Sequence, residues 1–325
     1  MENNLVLEPR NSYDYTPDSN TVYDLIIVGG GVTGFSCAMY AKRLGMKVLI
    51  IGSAFGGTIM FTNHVENWPG LISVTGQQLA KLVENHAKDY DVDILNEMVE
   101  EISKTDVGFK AKTKSGEFSS KTILFATGTK LRRLGVPGEG TFSGKGVSYC
   151  ALCDGMFFRD KIVGVVGGSD SAIKEALFLS EHAKKVYVIY RGEQVHPEKI
   201  ILNRMNKLIE GGKIVVVNNT NVTEIKGDKL MSHVILDREF KGKNELALDG
   251  LFIDIGREPL SELTKSLGVE LNEKNEIKID RLSKTNIEGV FAGGDVTDFP
   301  MKQAITGSSA GIIGAYSSYE YLQKN

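Results

Sequence analysis

The chain is poor in cysteine, in long apolar runs and in excess charge of either sign. Its 325 residues include three cysteines, too few for the several disulfides that hold together a small secreted domain. No apolar run approaches the roughly 18–20 residues needed to cross a bilayer, and the N-terminal segment lacks the apolar core of a secretory signal. The net charge of -3 gives no reason to expect nucleic acid or an acidic membrane as a partner. We therefore expect a cytoplasmic protein that binds neither nucleic acid nor membrane.

Glycine, in contrast, is abundant. The chain has 36 glycines, well above the usual share of about 7%. Such an excess in an otherwise ordinary globular composition predicts many tight turns and close approaches of the backbone to ligands. The length allows two domains of ordinary size. Residues 1–20 are rich in Asn, Asp, Ser and Pro, and we expect them to form a flexible leader.

A strand–turn–helix–strand pattern occurs twice along the chain. An apolar run at residues 23–28 ends in GGGVTG, and an amphipathic segment then leads to a second apolar run at residues 47–51. The same order returns from residue 161 to residue 190, roughly 140 residues later. Because each copy is a βαβ unit with a glycine turn, the repeat predicts two nucleotide-binding domains.

The predicted fold is α/β, with two Rossmann-like, three-layer domains. A basic segment with proline at residues 130–138 looks like a linker, and a buried strand near residue 250 is followed by further strand and glycine-turn signals. The simplest arrangement inserts the second domain into the first. We expect residues 21–129 and 250–325 to form one discontinuous domain, and residues 130–249 to form the other.

The first glycine turn has the spacing of a dinucleotide-binding fingerprint. Gly29, Gly31 and Gly34 follow a strand directly and open a helix. In this pattern the glycines allow a tight turn, close approach of a pyrophosphate and close helix–strand packing. The amide groups at the helix start favour a phosphate. The acidic residue that usually binds a ribose is missing, since Ile51 and Gly52 occupy the end of the second strand.

The second turn departs from this pattern. Serine replaces the middle glycine, which narrows the space for a pyrophosphate without closing it. Arg191, just past the following strand, can pair with a 2′-phosphate and so favour NADP over NAD, or it can be an exposed loop residue. The candidate contacts here are Gly167, Gly168, Ser169, Asp170, Ser171 and Arg191.

A C-x-x-C motif formed by Cys150 and Cys153 is followed directly by Asp154. It can be half of a zinc site, a pair of inert buried cysteines, or a redox-active dithiol. A zinc site needs two further ligands, and the five histidines are scattered with no second cysteine pair, so we expect no metal. A neighbouring carboxylate and a helix start, which lowers a thiol pKa, favour the redox dithiol. The third cysteine, Cys37, is expected to be a small buried apolar residue.

Taken together, these motifs resemble those of the low-molecular-weight thioredoxin reductases, which are class II FAD-dependent pyridine nucleotide-disulfide oxidoreductases. GGGVTG resembles the FAD fingerprint of that family, residues 52–59 its flavin loop, VENWPG a segment near the flavin, CALCDG its active site, and GGDVTDFPMKQAI its C-terminal FAD motif. The resemblance implies FAD contacts from Gly29, Gly31, Gly34, Gly52, Gly56, Gly57, Thr58, Ile59, Asn67, Asp295, Gln303, Ala304 and Ile305.

The resemblance also implies a function. The discontinuous domain would bind FAD, and the inserted domain would carry both the pyridine nucleotide site and the cysteine pair. Electrons would pass from NADPH through FAD and the Cys150–Cys153 disulfide to thioredoxin or a thioredoxin-like dithiol protein. Cys153 would face the flavin, Cys150 would attack the disulfide of the partner, and Asp154 would act as acid and base. The family is typically homodimeric.

The donor site is where the resemblance is weakest. Arginines that would bind a 2′-phosphate are replaced, since Gly192 and His196 stand near Arg191. NADH, ferredoxin or a deazaflavin therefore remain alternative donors to NADPH. A different dithiol protein remains an alternative acceptor, and a non-catalytic flavin redox sensor is a further interpretation.

Overall fold

The computed structural model describes residues 8–9, 16–62 and 65–324, without the side chains of Leu152 and Cys153. The chain divides into two compact units. The first contains Met1–Lys130 and Glu258–Asn325, and the second contains Leu131–Arg257. Most of the predicted leader, residues 1–20, lies outside the described residues. Within the described part of the chain, every helix is too short or too polar to cross a membrane.

The first unit is built on a mostly parallel sheet. In chain order its first elements are β1 (Val22–Val28), α1 (Val32–Arg43), β2 (Val48–Ile51), a 3-10 helix (Gly57–Phe61), α2 (Gly76–Lys88), β3 (Asp93–Leu95), β4 (Glu101–Thr105), β5 (Gly108–Lys112), β6 (Glu117–Phe125) and β7 (Thr129–Leu131). The strand order in the sheet is β3-β2-β1-β6-β5-β4.

Strand β1 explains why this sheet is buried on both faces. Leu25 and Ile27 pack into one apolar cluster together with α1, whereas Ile26 and Val28 pack into a second cluster on the other face. Alternate residues of a strand point to opposite faces, so a nearly continuous apolar run is what a central parallel strand requires. The pairing of Leu25 with Val48 aligns β1 and β2, so both strands end at the same edge of the sheet.

The second unit also contains a parallel sheet, together with a smaller antiparallel sheet. Its elements are β8 (Val147–Ser148), α3 (Ala151–Asp154), a 3-10 helix (Gly155–Phe158), β9 (Ile162–Val166), α4 (Asp170–His182), β10 (Lys185–Ile189), α5 (Lys199–Glu210), β11 (Ile214–Val217), β12 (Val222–Gly227), β13 (Met231–Phe240), β14 (Lys243–Ala247) and β15 (Gly250–Ile253). The parallel sheet has the order β11-β10-β9-β15-β8, and the antiparallel sheet has the order β12-β13-β14.

Strand β15 belongs to the second unit. It pairs in parallel with β9, with Leu251 opposite Gly164. The chain therefore returns to the first unit at residue 258, whereas the sequence interpretation placed this return at residue 250. The chain leaves the first unit in β7 and returns to it in β16 (Arg257–Pro259). These two strands pair with each other.

The returning segment completes the first unit. Its elements are a 3-10 helix (Glu262–Leu267), β17 (Val290–Ala292), a 3-10 helix (Gly294–Val296) and α6 (Ala304–Lys324). Strand β17 adds to the sheet beside β6, in parallel. Helix α6 packs closely on α1 at Gly311, where a Cβ would lie only 2.2 Å from the carbonyl oxygen of Thr33. The lack of a side chain on Gly311 allows this approach. The hydroxyls of Ser36 and Ser308 are 2.8 Å apart in the same interface. The predicted α/β class, with two parallel-sheet units of which one interrupts the other, is confirmed.

Candidate functional site

The three glycines of the first turn have three different environments. Gly29 has a φ of 116°, and a Cβ there would lie 2.3 Å from the carbonyl oxygen of Ala126. A Cβ on Gly34 would lie 2.0 Å from the carbonyl oxygen of Gly29, so helix and strand touch at this point. At Gly31 the Cβ would meet only the Cα of Gly57, at 3.9 Å. Gly29 and Gly34 are therefore required by the fold, whereas Gly31 leaves open space above the turn.

The loop that begins at Gly52 lies against this turn. A Cβ on Gly52 would lie 2.7 Å from the amide nitrogen of Gly30, and the amide of Gly56 donates to the carbonyl oxygen of Gly30 at 2.8 Å. Gly56 and Gly57 both have positive φ, 89° and 65°. Thr58 and Ile59 follow in the 3-10 helix and are half-buried.

The C-terminal candidates lie in the same unit. The side-chain amide of Asn67 donates to Oε1 of Gln303 at 3.0 Å, although the two residues are far apart in the sequence. Gln303 directly precedes α6, and Ala304 and Ile305 form its first turn. Helix α6 packs on α1 at Thr33, and Cβ atoms on Gly294 and Gly307 would lie 2.4 Å and 2.7 Å from the Thr33 hydroxyl oxygen.

Asp295 lies in the short 3-10 helix that precedes α6. Its backbone carbonyl accepts a hydrogen bond from the ammonium of Lys302 at 3.2 Å. The same ammonium donates to the carbonyl of Thr297 and pairs with Glu276 at 3.1 Å. Lys302 therefore stabilises the turn that carries Asp295.

These residues fit a dinucleotide. The open space at Gly31 lies between the glycine turn and Gly57. A side chain on Gly31 or on Gly57 would occupy part of this space. The first amides of α1 and α6 have no partners within their own helices, as at any helix start, and such amides favour a phosphate. The candidates predicted for FAD thus lie around one unit, on the turn, the loop and the start of α6.

The C-x-x-C segment lies at the start of α3. Cys150 is disulfide-bonded, and its amide donates to the hydroxyl oxygen of Ser148 at 3.1 Å. The backbone of Cys153 lies in α3, while its side chain lies outside the described part of the structure. Cys150 is therefore observed in the oxidised form.

Ser148 connects the cysteine segment to Asp154. The Ser148 hydroxyl donates to Oδ2 of Asp154 at 2.6 Å, and the Ser148 hydroxyl oxygen accepts from the amide of Cys150. The amide of Asp154 donates to the carbonyl of Cys150 at 3.2 Å. This pair of links fixes the Asp154 carboxylate beside the backbone of Cys150. Nothing in the sequence pattern indicated Ser148.

A buried carboxylate anchors the segment that precedes Cys150. Glu139, only 4% exposed, accepts from the amides of Leu134 and Gly135 at 3.1 Å and 2.7 Å, and from the hydroxyl of Tyr149 at 2.7 Å. Burial, together with the hydrogen bond to Glu139 and its charge, raises the pKa of Tyr149 to about 12. Tyr149 therefore remains a neutral donor at physiological pH. Glu139 and a second buried acid, Glu175 on α4, were both missed by the sequence interpretation.

The second glycine turn differs from the first in its middle position. Gly167 has a φ of 148°, and a Cβ there would lie 2.1 Å from the carbonyl oxygen of Asp254, so this glycine is required. Ser169 caps α4, since its hydroxyl accepts from the amide of Ala172 at 3.4 Å. The Ser171 hydroxyl is 3.0 Å from that of Ser169. Ser169 thus uses one of the amides that would otherwise be available to a phosphate.

An aromatic ring covers part of this turn. Cβ atoms on Gly168 and Gly192 would lie 2.5 Å and 2.6 Å from the ring of Tyr190. The Tyr190 hydroxyl is 3.3 Å from Nδ1 of His196. Arg191 is exposed.

Asp170, a further candidate of the second turn, has partners in its own unit. It accepts from the amide of Glu198 at 3.0 Å and pairs with Lys174 at 2.6 Å. In the described residues, then, Asp170 supports the turn rather than pointing an unpaired charge into it.

Cys37 is fully buried in the apolar cluster beneath α1 and is not disulfide-bonded. Burial raises the pKa of its thiol well above the ordinary value. The prediction that Cys37 is a small buried apolar residue is confirmed.

Comparison with known proteins agrees with this picture. A family model described as pyridine nucleotide-disulphide oxidoreductase matches residues 23–311. A thioredoxin reductase of Mycolicibacterium smegmatis is 37% identical over 308 residues, which cover 94% of this chain and 98% of that protein. A protein of Pseudomonas fluorescens named glucosaminate ammonia-lyase is 37% identical over 310 residues, which cover 92% of this chain and 95% of that protein. The structure of thioredoxin reductase from Lactococcus lactis matches with a TM-score of 0.88 at 33% identity, covering 93% of this chain and 100% of that one.

The matched range includes both glycine turns, the cysteine pair and the start of α6. The resemblance inferred from the motifs is confirmed, and the chain is an oxidoreductase that acts on a disulfide. The chain belongs to the pyridine nucleotide-disulphide oxidoreductase family, where it groups with the low-molecular-weight thioredoxin reductases.

Proposed function

We propose that this protein is a thioredoxin-disulfide reductase that passes electrons from NADPH, through FAD and the Cys150–Cys153 disulfide, to thioredoxin or a thioredoxin-like dithiol protein. The observation that carries the proposal is the disulfide-bonded Cys150, linked through Ser148 to the carboxylate of Asp154. A cysteine pair with a fixed carboxylate beside it has the groups that thiol–disulfide exchange requires. Relatives over nearly the whole chain are thioredoxin reductases, which supports the same conclusion.

In this proposal FAD is bound by the first unit. Gly29, Gly31 and Gly34 would hold the pyrophosphate, together with the loop of Gly52, Gly56, Gly57, Thr58 and Ile59. The remaining FAD contacts would come from Asn67, Asp295, Gln303, Ala304 and Ile305. When bound, FAD supplies the two-electron reduction of the cysteine disulfide, which is chemistry that protein side chains cannot perform.

The cysteine pair and Asp154 carry out the exchange. Reduction of the disulfide consumes two electrons and two protons and gives two thiols. The Cys150 thiolate then attacks one sulfur of the partner's disulfide, which forms a mixed disulfide and expels the other sulfur as a thiolate. Cys153 attacks the Cys150 sulfur, which restores the internal disulfide and releases the reduced partner. Asp154 takes the proton of the attacking thiol and gives a proton to the departing thiolate.

The test is turnover of the FAD-loaded protein with NADPH and oxidised thioredoxin. We expect NADPH oxidation in step with the appearance of two thioredoxin thiols. If the flavin is reduced by a donor but no disulfide protein is ever reduced, the protein is a redox sensor and the proposal fails. Reduction of a different dithiol protein, but not of thioredoxin, would replace the acceptor while leaving the cysteine chemistry in place.

A second candidate keeps the fold and the cysteine chemistry but changes the donor. Three features favour it: the Ser169 cap, the Tyr190 ring over Gly168 and Gly192, and the replacement of arginines around Arg191. In the first candidate, NADPH would be held by the residues of the second turn and its neighbour, namely Gly167, Gly168, Ser169, Asp170, Ser171 and Arg191. Anaerobic stopped-flow bleaching of the bound flavin with NADPH, NADH, reduced ferredoxin and a reduced deazaflavin separates the donors. NADPH must reduce the flavin fastest for the first candidate to stand.

Cellular context and assembly follow from the family resemblance. We infer that the protein acts in the cytoplasm as a homodimer, as is typical of the low-molecular-weight thioredoxin reductases. Light scattering of the FAD-loaded protein gives the mass directly. A mass near 35.5 kDa at micromolar concentration would show a monomer and contradict this inference.

A further inference from the structure

A buried carboxylic acid lies directly beside the cysteine segment. Glu175 is on α4, which packs against α3. Its Oε1 accepts a hydrogen bond from the amide of Ala151 at 3.4 Å, and Ala151 follows Cys150 in the chain. Its other oxygen, Oε2, is enclosed and has no hydrogen-bond partner among the described residues. Among the described residues, no donor therefore stabilises a negative charge on the enclosed Oε2.

The surroundings of Glu175 favour its neutral form. Burial raises the pKa of this carboxyl to about 8, and the negative charge of Asp254 adds to the effect. The Ala151 amide and the positive charge of Arg257 act in the opposite direction and are weaker. Asp254, which directly follows β15, is itself only 7% exposed. At neutral pH Glu175 therefore carries a proton, which it loses in the mildly alkaline range.

Apart from Asp254 and Arg257, the described groups packed around α4 that face Glu175 are apolar or are paired elsewhere. Helix α5 packs on α4 through Ile201 and Met205, and β9 and β10 contribute valines. The 3-10 helix after α3 meets α4 through Gly155, whose Cβ would lie 3.1 Å from Leu179 and Phe178. Among charged neighbours in the chain, Lys174 pairs with Asp170, and Asp154 accepts from Ser148.

We propose that Glu175 is a positioning residue for the dithiol chemistry, which in its neutral form permits a thiolate on Cys150 and in its ionised form opposes it. This inference rests on the proposed exchange role of the cysteine pair. A like charge close to an acid disfavours its ionisation, whereas a neutral carboxyl that accepts the Ala151 amide does not. The ionisation of the Glu175 carboxyl and that of the Cys150 thiol are therefore coupled, so each group titrates over a wider pH range than it would alone.

The test measures thiol reactivity, which does not depend on turnover. The FAD-loaded protein with Cys153→Ser is reduced, freed of reductant, and alkylated with iodoacetamide between pH 6 and pH 10, with labelling of Cys150 measured by mass spectrometry. With Glu175 present we expect a profile broader than a single ionisation, with an upper inflection that appears once Glu175 is ionised. In Glu175→Gln the profile becomes a single ionisation, with its midpoint lower by about one pH unit, the effect expected for removing one nearby charge at intermediate dielectric.

Glutamine keeps the oxygen that accepts from Ala151, so a purely structural role of Glu175 would leave the pH profile unchanged. Glu181→Gln removes the same charge from an exposed position of α4 and should behave like the parent. Asp254→Asn provides a second variant, in which the upper inflection should move to lower pH because a negative neighbour is gone. Superimposable profiles for the parent and Glu175→Gln, or an inflection unmoved by Asp254→Asn, would overturn the proposal. If thioredoxin is not reduced but the alkylation profiles change as expected, the result contradicts the proposed function and not the role of Glu175.

Discussion

Replacing Ser148 with alanine tests whether Asp154 is positioned by the backbone of the cysteine segment. The Ser148 hydroxyl donates to Asp154 over 2.6 Å and accepts from the Cys150 amide over 3.1 Å. A hydrogen bond to a charged group is worth about 1.5–3 kcal/mol, and the half-exposed setting of Asp154 favours the lower end because water can replace the lost donor. A loss of about 1.4 kcal/mol in the transition state corresponds to about a tenfold slower rate. We expect Ser148→Ala to slow thiol transfer about tenfold while FAD remains bound.

Rapid-quench measurement of thiol transfer from the pre-reduced protein to oxidised thioredoxin gives this rate. Ser232→Ala, at an exposed serine of β13, is the matched control and should exchange at the wild-type rate. In an Asp154→Asn background the effect of Ser148→Ala should shrink, because the two residues act through one interaction. Full additivity of the two effects, or a Ser148→Ala rate within twofold of wild type, would refute the reasoning.

Two further predictions concern the nucleotide sites. Gly31→Ala should leave the melting temperature of the FAD-free protein unchanged but weaken FAD binding in a flavin-fluorescence titration, since its Cβ would meet only Gly57 Cα at 3.9 Å. Gly34→Ala should instead lower that melting temperature, because its Cβ would lie 2.0 Å from the carbonyl oxygen of Gly29; equal melting temperatures of the two variants would contradict the assignment. Arg191→Ala should reduce kcat/KM for NADPH about tenfold or more, the value of a charge-assisted contact, while kcat/KM for NADH stays the same. A parallel loss for both donors would show that Arg191 does not contact a 2′-phosphate.

Local sequence patterns sufficed for the elements around the first glycine turn. The apolar run at residues 23–28 became a strand buried on both faces, and the different needs of Gly29 and Gly34 follow from backbone geometry alone. The helix after the second turn, α4, and the strand β10 also lie where the pattern placed them. These features depend on residues close together in the chain, so their periodicity carries the information.

Features that depend on distant partners were not predictable in the same way. The buried strand near residue 250 was recognised, but its partner was not, because an apolar run does not specify which strand it pairs with. Because β15 pairs with β9, it belongs to the second unit, and the chain returns to the first unit at residue 258 rather than at residue 250. Glu139 and Glu175 are acids in otherwise ordinary segments, and only tertiary packing buries them beside the cysteine segment. Ser169 was expected to narrow a phosphate site, and the structure shows in addition that it caps α4.

In the proposed mechanism, electrons leave the protein through Cys150. The decisive measurement is NADPH-dependent reduction of thioredoxin by the FAD-loaded Cys150→Ser variant, beside Cys37→Ala as a control at the free, buried cysteine. We expect thioredoxin reduction by Cys150→Ser to fall to the rate of the enzyme-free reaction while NADPH still bleaches its flavin, and we expect Cys37→Ala to continue to turn over. Thioredoxin reduction by Cys150→Ser at the wild-type rate would contradict the central claim.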